Sequence, residues 1–160
     1  MLSKIKAVAM DVDGVLTDGT FMWDQNENEF KRFCFADVTG IPLAQRAGLI
    51  FALISGESSA SGMDIVERYA KKLKIKAVYK GCHDKALALR EFTEKNGLEL
   101  SEVCFIGDDI SDLPALEIAG FSVAPPNAHI SVLKRVNFVT QHKGGDGAVR
   151  ELLDMIIENR

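Results

Sequence analysis

Asp11 and Asp13 stand one residue apart where an apolar run, Ala7-Val8-Ala9-Met10, gives way to Gly14. A short apolar run without alternation, ended by a turn signal, reads as a strand buried on both faces in a parallel sheet. Side chains i and i+2 of an extended segment lean the same way, so both carboxylates can reach one small volume. Two anions that close repel unless a cation lies between them or one holds a proton. A surface turn rich in Asp and Gly is the plain alternative, and the buried strand before it argues against that. The pair therefore points to a divalent metal site in which one carboxylate is free to attack.

Other residues of the same kind recur at the ends of later apolar runs. Leu49-Ile50-Phe51-Ala52-Leu53-Ile54 ends in Ser55-Gly56-Glu57, and Val103-Cys104-Phe105-Ile106 ends in Gly107-Asp108-Asp109-Ile110-Ser111-Asp112. In open α/β sheets ligands bind outside the carboxyl ends of the strands, so these clusters share one edge with Asp11 and Asp13. Lys85 opens a helix one connection earlier and can reach that edge. Singly, each signal is weak, because Ser-Gly is a common loop pair and a lysine at a helix start is usually solvated. Their order along the chain is the specific feature.

The elements that must position these groups follow from periodicity. Between strands at 5–10, 49–54, 77–79, 103–106, 121–124 and 138–140 lie helical stretches at 38–47, 60–73, 85–96, 112–119 and 129–135, and a last amphipathic helix covers 148–158. Gly48 and Asn96-Gly97 are helix stops, and Asp84 is a helix cap. Ile65, Val66, Tyr69 and Leu73 mark one helical face. Residues 21–35 have apolar ends around a polar Asp-Gln-Asn-Glu-Asn centre, the pattern of a β-hairpin, which would sit as a flap beside the carboxylates. Strands alternating with helices predict an α/β fold, Rossmann-like and doubly wound, with a mostly parallel sheet, a hairpin insertion at about 20–35 and no cap domain, in a single domain over 1–160.

Composition excludes several classes. With 160 residues, a core of ordinary size forms. A net charge of −4 leaves no basic footprint for nucleic acid. No apolar stretch approaches the roughly 18 residues of a membrane span. The N-terminus, read as running straight into the first strand, predicts no signal peptide. Three widely spaced cysteines, Cys34, Cys82 and Cys104, make neither a disulfide frame nor a zinc site and predict a reduced, cytoplasmic protein.

The motifs together resemble the haloacid dehalogenase superfamily of phosphotransferases over nearly the whole chain. The first motif stands as Asp11-Val12-Asp13-Gly14-Val15-Leu16-Thr17, the second as Ser55, the third as Lys85, and the fourth as Gly107-Asp108-Asp109 with Asp112 behind. Within the superfamily the chain is most similar to small cap-less phosphatases of 3-deoxy-ulosonic acid phosphates, of the KDO-8-phosphate and KDN-9-phosphate type. The terminal Gly144-Gly145-x-Gly147-Ala148-Val149-Arg150-Glu151 also matches. The resemblance implies Asp11 as nucleophile, Asp13 as general acid and base, and Ser55 and Lys85 as holders of the phosphoryl oxygens. It implies Mg²⁺ on Asp11, the Asp13 carbonyl and Asp108, with Asp109 and Asp112 behind. Substrate contacts fall on Asp13, Asp37, Thr39, Gly56, Glu57 and Lys72. It further implies a homotetramer in which the hairpin packs on a neighbour and the glycines at 144–147 are mobile and reach an adjoining site.

Two departures bear on the sugar. Eight-carbon enzymes carry Thr-Gly-Arg at the second motif, whereas this chain has Ser55-Gly56-Glu57, and another Arg of that pattern falls on Pro42. Glu57 with Lys72 fits the nine-carbon enzymes better, and a carboxylate there would accept hydrogen bonds from sugar hydroxyls. Two other readings compete. A receiver-like phosphoacceptor signalling domain would carry its phosphoacceptor Asp at a mid-chain strand end, where this chain has Ser55 and Tyr79. A non-catalytic oligomerisation domain of a sialic-acid activating enzyme would lack the first-motif carboxylates, and both are present.

Overall fold

β1 (Ala7–Met10) is buried at all four positions because it lies inside a parallel sheet with helices on both faces. The computed structural model describes residues 2–160. After β1 come a hairpin of β2 (Met22–Trp23) and β3 (Glu29–Phe30), helix α1 (Phe35–Arg46), β4 (Ile50–Ile54), α2 (Ala60–Lys72) and β5 (Ala77–Tyr79). The chain then forms α3 (Lys85–Lys95), β6 (Val103–Ile106), α4 (Leu113–Ile118), β7 (Phe121–Ala124), the one-turn α5 (Ile130–Leu133), β8 (Phe138–Val139) and α6 (Ala148–Glu158).

The sheet runs β5-β4-β1-β6-β7-β8 and every pair in it is parallel. From β1 the chain winds outward through β4 and β5, then crosses back to β6 on the other side of β1. The reversal falls between β1 and β6, the place where such sheets take ligands. Alternation along β1 sends Val8 and Met10 into one core layer and Ala7 and Ala9 into the other. The first layer is closed by α1, α2 and α6, through Ile41, Val66, Tyr69 and Leu152, and the second by α3, α4 and α5, through Leu89, Phe92, Leu116 and Val132.

The doubly wound sheet agrees with the periodicity, and the differences lie at element ends. α1 begins at Phe35, three residues before the expected start, behind Cys34, whose side chain makes no cap hydrogen bond. A helix start without a Ser, Thr, Asp or Asn cap leaves no mark in composition. The hairpin strands are only two residues each, and Phe21, Met22, Trp23 and Phe30 are exposed. Among the described residues, no helix is long and apolar enough to cross a membrane.

Candidate active site

The carboxyl ends of β1, β4 and β6 surround a cleft of about 290 Å³ lined by Asp11, Asp13, Ser55, Gly56, Glu57, Lys85, Asp108 and Asp109. Larger grooves of about 420 and 440 Å³ lie at the amino edge of the sheet and along α6, and neither contains any of these groups. Volume thus does not pick out the site, whereas the convergence of charge does.

Asp11 directly follows β1 and is buried. Its Oδ1 accepts from the Val12 amide at 2.8 Å and lies 3.0 Å from Lys85 Nζ, while Oδ2 takes no hydrogen bond. Lys85 is the first residue of α3, behind Asp84, which caps the helix by accepting from the Leu87 amide. The Lys85 ammonium also lies 2.6 Å from Asp112 Oδ1. Burial works against that charge, but Asp11 and Asp112 more than offset it and raise its pKa.

Asp112 is completely buried, and its second oxygen accepts from the Asp108 and Asp109 amides at 2.9 and 3.0 Å. Asp108 has a buried Oδ1 with no partner. Asp11, Asp108 and Asp112 each present an oxygen within 4.8 Å of the others. Burial first, and then the Asp112 charge, push the Asp11 carboxyl up to about 7; burial and the charges of Asp11 and Asp112 push Asp108 to about 8. A hard divalent cation would relieve both, and the orphaned Asp108 oxygen together with the donor-free Asp11 oxygen fit such an ion. Asp112, with both oxygens engaged, is a brace for Lys85 and the Asp108 loop.

Gly14, at φ +84°, lets this arrangement close, since a Cβ there would collide with the Asp108 carboxylate. The turn it opens is tied by Thr17 Oγ1, which accepts from the Gly14 and Gly19 amides. Asn127 fastens it from outside by donating to the Gly14 carbonyl at 2.9 Å and accepting from the Gly144 amide at 2.8 Å. The Gly145 amide donates to the Val15 carbonyl at 3.0 Å. The glycines expected to be mobile and to reach a neighbour are thus seated on this chain's own first loop.

Ser55 and Gly56 line the cleft, with Ser55 Oγ accepting from the Glu57 amide. Glu57 is engaged inside the chain, where a free acceptor for hydroxyls was expected. Its Oε1 accepts from Ser59 N and Oγ at 2.9 and 2.8 Å, and its Oε2 lies 2.9 Å from Lys31 Nζ. Burial alone would raise its pKa; Lys31 and Ser59 bring it down to about 2.

Three expected substrate contacts fall elsewhere. Asp37 is buried in α1, where it accepts from the Arg150 amide at 2.8 Å and ties α1 to α6. Burial raises its carboxyl to about 6 despite that bond. Thr39, two residues on and exposed, donates to the Ala36 carbonyl and accepts from Arg150. Lys72 ends α2, roughly 18 Å along the helix axis from its start at the cleft side. There it shares an amino-edge groove with Pro42, Arg46 and Lys74. Helix length carries it to the wrong side of the sheet, a fact that motif alignment does not register.

Two residues escaped the sequence reading. Lys31 contacts Asp13 and Glu57 from the hairpin, 18 and 26 residues away, and nothing local marks it. Asn127 carried a faint signal as the polar residue after Pro125-Pro126 at a strand end.

Comparison with known proteins agrees with this geometry. A family model for the haloacid dehalogenase-like hydrolases matches residues 44–152, a span that holds Ser55, Lys85, Asp108 and Asp112. The 3-deoxy-D-manno-octulosonate 8-phosphate phosphatase of Escherichia coli K12 is 35% identical over 153 residues, 96% of this chain and 79% of that protein. The crystal structure of the Moraxella catarrhalis enzyme of that name, in complex with magnesium, phosphate and KDO, is 39% identical with a TM-score of 0.93, over 99% of this chain and 89% of that one. The cobalt-bound Haemophilus influenzae phosphatase is 37% identical with a TM-score of 0.91, over 99% and 90%. With its motifs gathered at one sheet edge and these relatives aligned along nearly its whole length, the chain belongs to the haloacid dehalogenase-like hydrolases, as a phosphatase built on the cap-less form of the fold.

Proposed function

We propose that the chain hydrolyses the phosphate monoester of a 3-deoxy-2-ulosonic sugar acid, of the KDO-8-phosphate or KDN-9-phosphate type, through an aspartyl-phosphate on Asp11. The observation that carries this reading is the division of the Asp11 carboxylate. Oδ1 is aimed by the Val12 amide and Lys85, and Oδ2 is left without a donor. Asp11 Oδ1 attacks phosphorus, and the bond to the sugar oxygen breaks as Asp13 delivers a proton to it. Asp13 then takes a proton from water, whose oxygen attacks the same phosphorus and frees Asp11. Lys85, Ser55 and the Gly56 backbone hold the phosphoryl oxygens as charge shifts among them. Asp11, the Asp13 carbonyl and Asp108 would hold Mg²⁺, which neutralises the approach of an anionic nucleophile to an anionic phosphate.

The nine-carbon sugar acid stays beside the eight-carbon one because Glu57 stands where the eight-carbon pattern has Arg. The exposed apolar residues of the hairpin support a homotetramer, which would shield the open cleft from water. Three free thiols fit work in the cytoplasm.

The test is phosphate release with Mg²⁺ over KDO-8-phosphate, KDN-9-phosphate, sialic-acid-9-phosphate and hexose phosphates. One of the first two should lead, and equal rates on all would overturn the substrate class. Asp11→Asn should abolish release with the fold intact, and acid-quenched wild-type enzyme should carry one phosphoryl group on the peptide containing Asp11.

A further inference from the structure

The Lys31 side chain is only 3% exposed, directly after the return strand of a hairpin whose apolar residues Phe21, Met22, Trp23 and Phe30 are exposed. Its ammonium lies 2.9 and 3.1 Å from the two oxygens of Asp13, 2.9 Å from Glu57 and 3.6 Å from Glu29. Burying a lysine is costly unless it is paired, and here the pairs hold its charge, raising its pKa against the effect of burial. The partner at 57 is itself fixed. Ser59 holds its other oxygen, and a Cβ on Gly62 would collide with its carboxylate, so α2 makes room for Glu57 to lie there.

We propose that Lys31, anchored by Glu57, is the positioning residue that fixes the Asp13 carboxyl on the leaving-group side of the cleft. Asp13 is 38% exposed and follows a strand end by three residues, so its own loop leaves the side chain free to rotate. Lys31 bridges both of its oxygens and removes that freedom, and displacement of a reacting group by an ångström can cost about a hundredfold in rate. The acidic residue of the second motif thereby gains a role: it holds the cation that holds the acid. This inference rests on the reaction proposed above, with Asp13 as the proton donor.

A positioning role for a proton donor has a signature that general loosening lacks. A nitrophenolate departs without a proton, whereas a benzyl alkoxide needs one, so the donor matters for benzyl phosphate and little for p-nitrophenyl phosphate. The experiment measures kcat on both esters with Mg²⁺ for wild type, Lys31→Met, Glu57→Gln and Asp13→Asn, with thermal unfolding alongside. Lys31→Met should lower the benzyl-to-nitrophenyl kcat ratio about tenfold or more, and Glu57→Gln should lower it in the same direction by less. A parallel loss on both esters, or a rise in KM alone, overturns the inference. Should Lys31→Met not fold, the ratio in Glu57→Gln decides. Asp13→Asn separates the two levels. If it leaves the ratio in place, Asp13 is not the donor and both readings fall; if it lowers the ratio and Lys31→Met does not, only the role of Lys31 falls.

Discussion

Asp112 meets Lys85 at 2.6 Å with one carboxylate oxygen and the amides of Asp108 and Asp109 with the other. A single buried side chain thus sets both the cation beside Asp11 and the loop that carries Asp108. In Asp112→Asn the amide has one acceptor for two sets of donors, so an N–H must face either the Lys85 ammonium or the backbone amides. Breaking such a buried, hydrogen-bonded pair costs about 3 kcal/mol. Urea unfolding should show a lower midpoint at unchanged slope, together with a fall in phosphate release; an unchanged midpoint would show that Lys85 needs only Asp11.

The raised carboxyls of Asp11 and Asp108 make stability depend on pH. Each titrates near 3.8 in the unfolded chain but at about 7 and about 8 in the fold. The folded state therefore binds more protons across this window, and the stability these groups contribute is full below about pH 4 and falls as pH rises toward 8. A divalent cation reverses the preference by favouring the charged forms. In EDTA the melting temperature should fall between pH 5 and pH 8 by more than in Asp11→Asn, and the gain on adding Mg²⁺ should be larger at pH 8 than at pH 5. A Mg²⁺ gain independent of pH would argue against binding at these carboxylates.

Asn127 joins the first loop to the C-terminal glycines through the Gly14 carbonyl and the Gly144 amide. Asn127→Ala leaves both groups without their partner and costs about 1–2 kcal/mol. Because Gly14 stands against Asp108, the same change should weaken the site, read as a higher Mg²⁺ concentration for half-maximal phosphate release. Loss of stability without a shift in Mg²⁺ dependence would confine Asn127 to the fold.

The sheet and the carboxylates around it were legible because burial on both faces of a parallel strand writes an unbroken apolar run, and the residue after the run must lie at the sheet edge. Ala7–Met10 before Asp11 follows this rule, and Val103–Ile106 follows it with Asp108 one residue further on, after Gly107. What stayed hidden depends on distance in three dimensions. Lys31 reaches Asp13 through a hairpin whose strands pair over two residues each, and its alternation with Phe30 and Arg32 is too short to read. Lys72 was misplaced because motif spacing ignores that a helix of 13 residues crosses the full depth of the sheet. Motif position and charge single out Glu57, but its engagement by Lys31 and Ser59 depends on contacts that neither registers.

That hairpin supplies the last prediction. Phe21, Met22, Trp23, Phe30 and Phe35 are each more than half exposed, and the Phe21 and Trp23 rings pack with centroids 5.0 Å apart. An isolated two-stranded ribbon is marginal in water, so this one needs something laid over its apolar side to keep Lys31 against Asp13. In the proposed tetramer that cover is a second copy of the chain. Trp23→Glu should then lower the mass found by light scattering toward that of a single chain, leave the circular dichroism of the sheet and helices in place, and reduce the benzyl-to-nitrophenyl kcat ratio as Lys31→Met does. A variant with the parent's mass would show that Trp23 lies outside the joint, and one that dissociates yet keeps the ratio would show that the hairpin holds its lysine unaided.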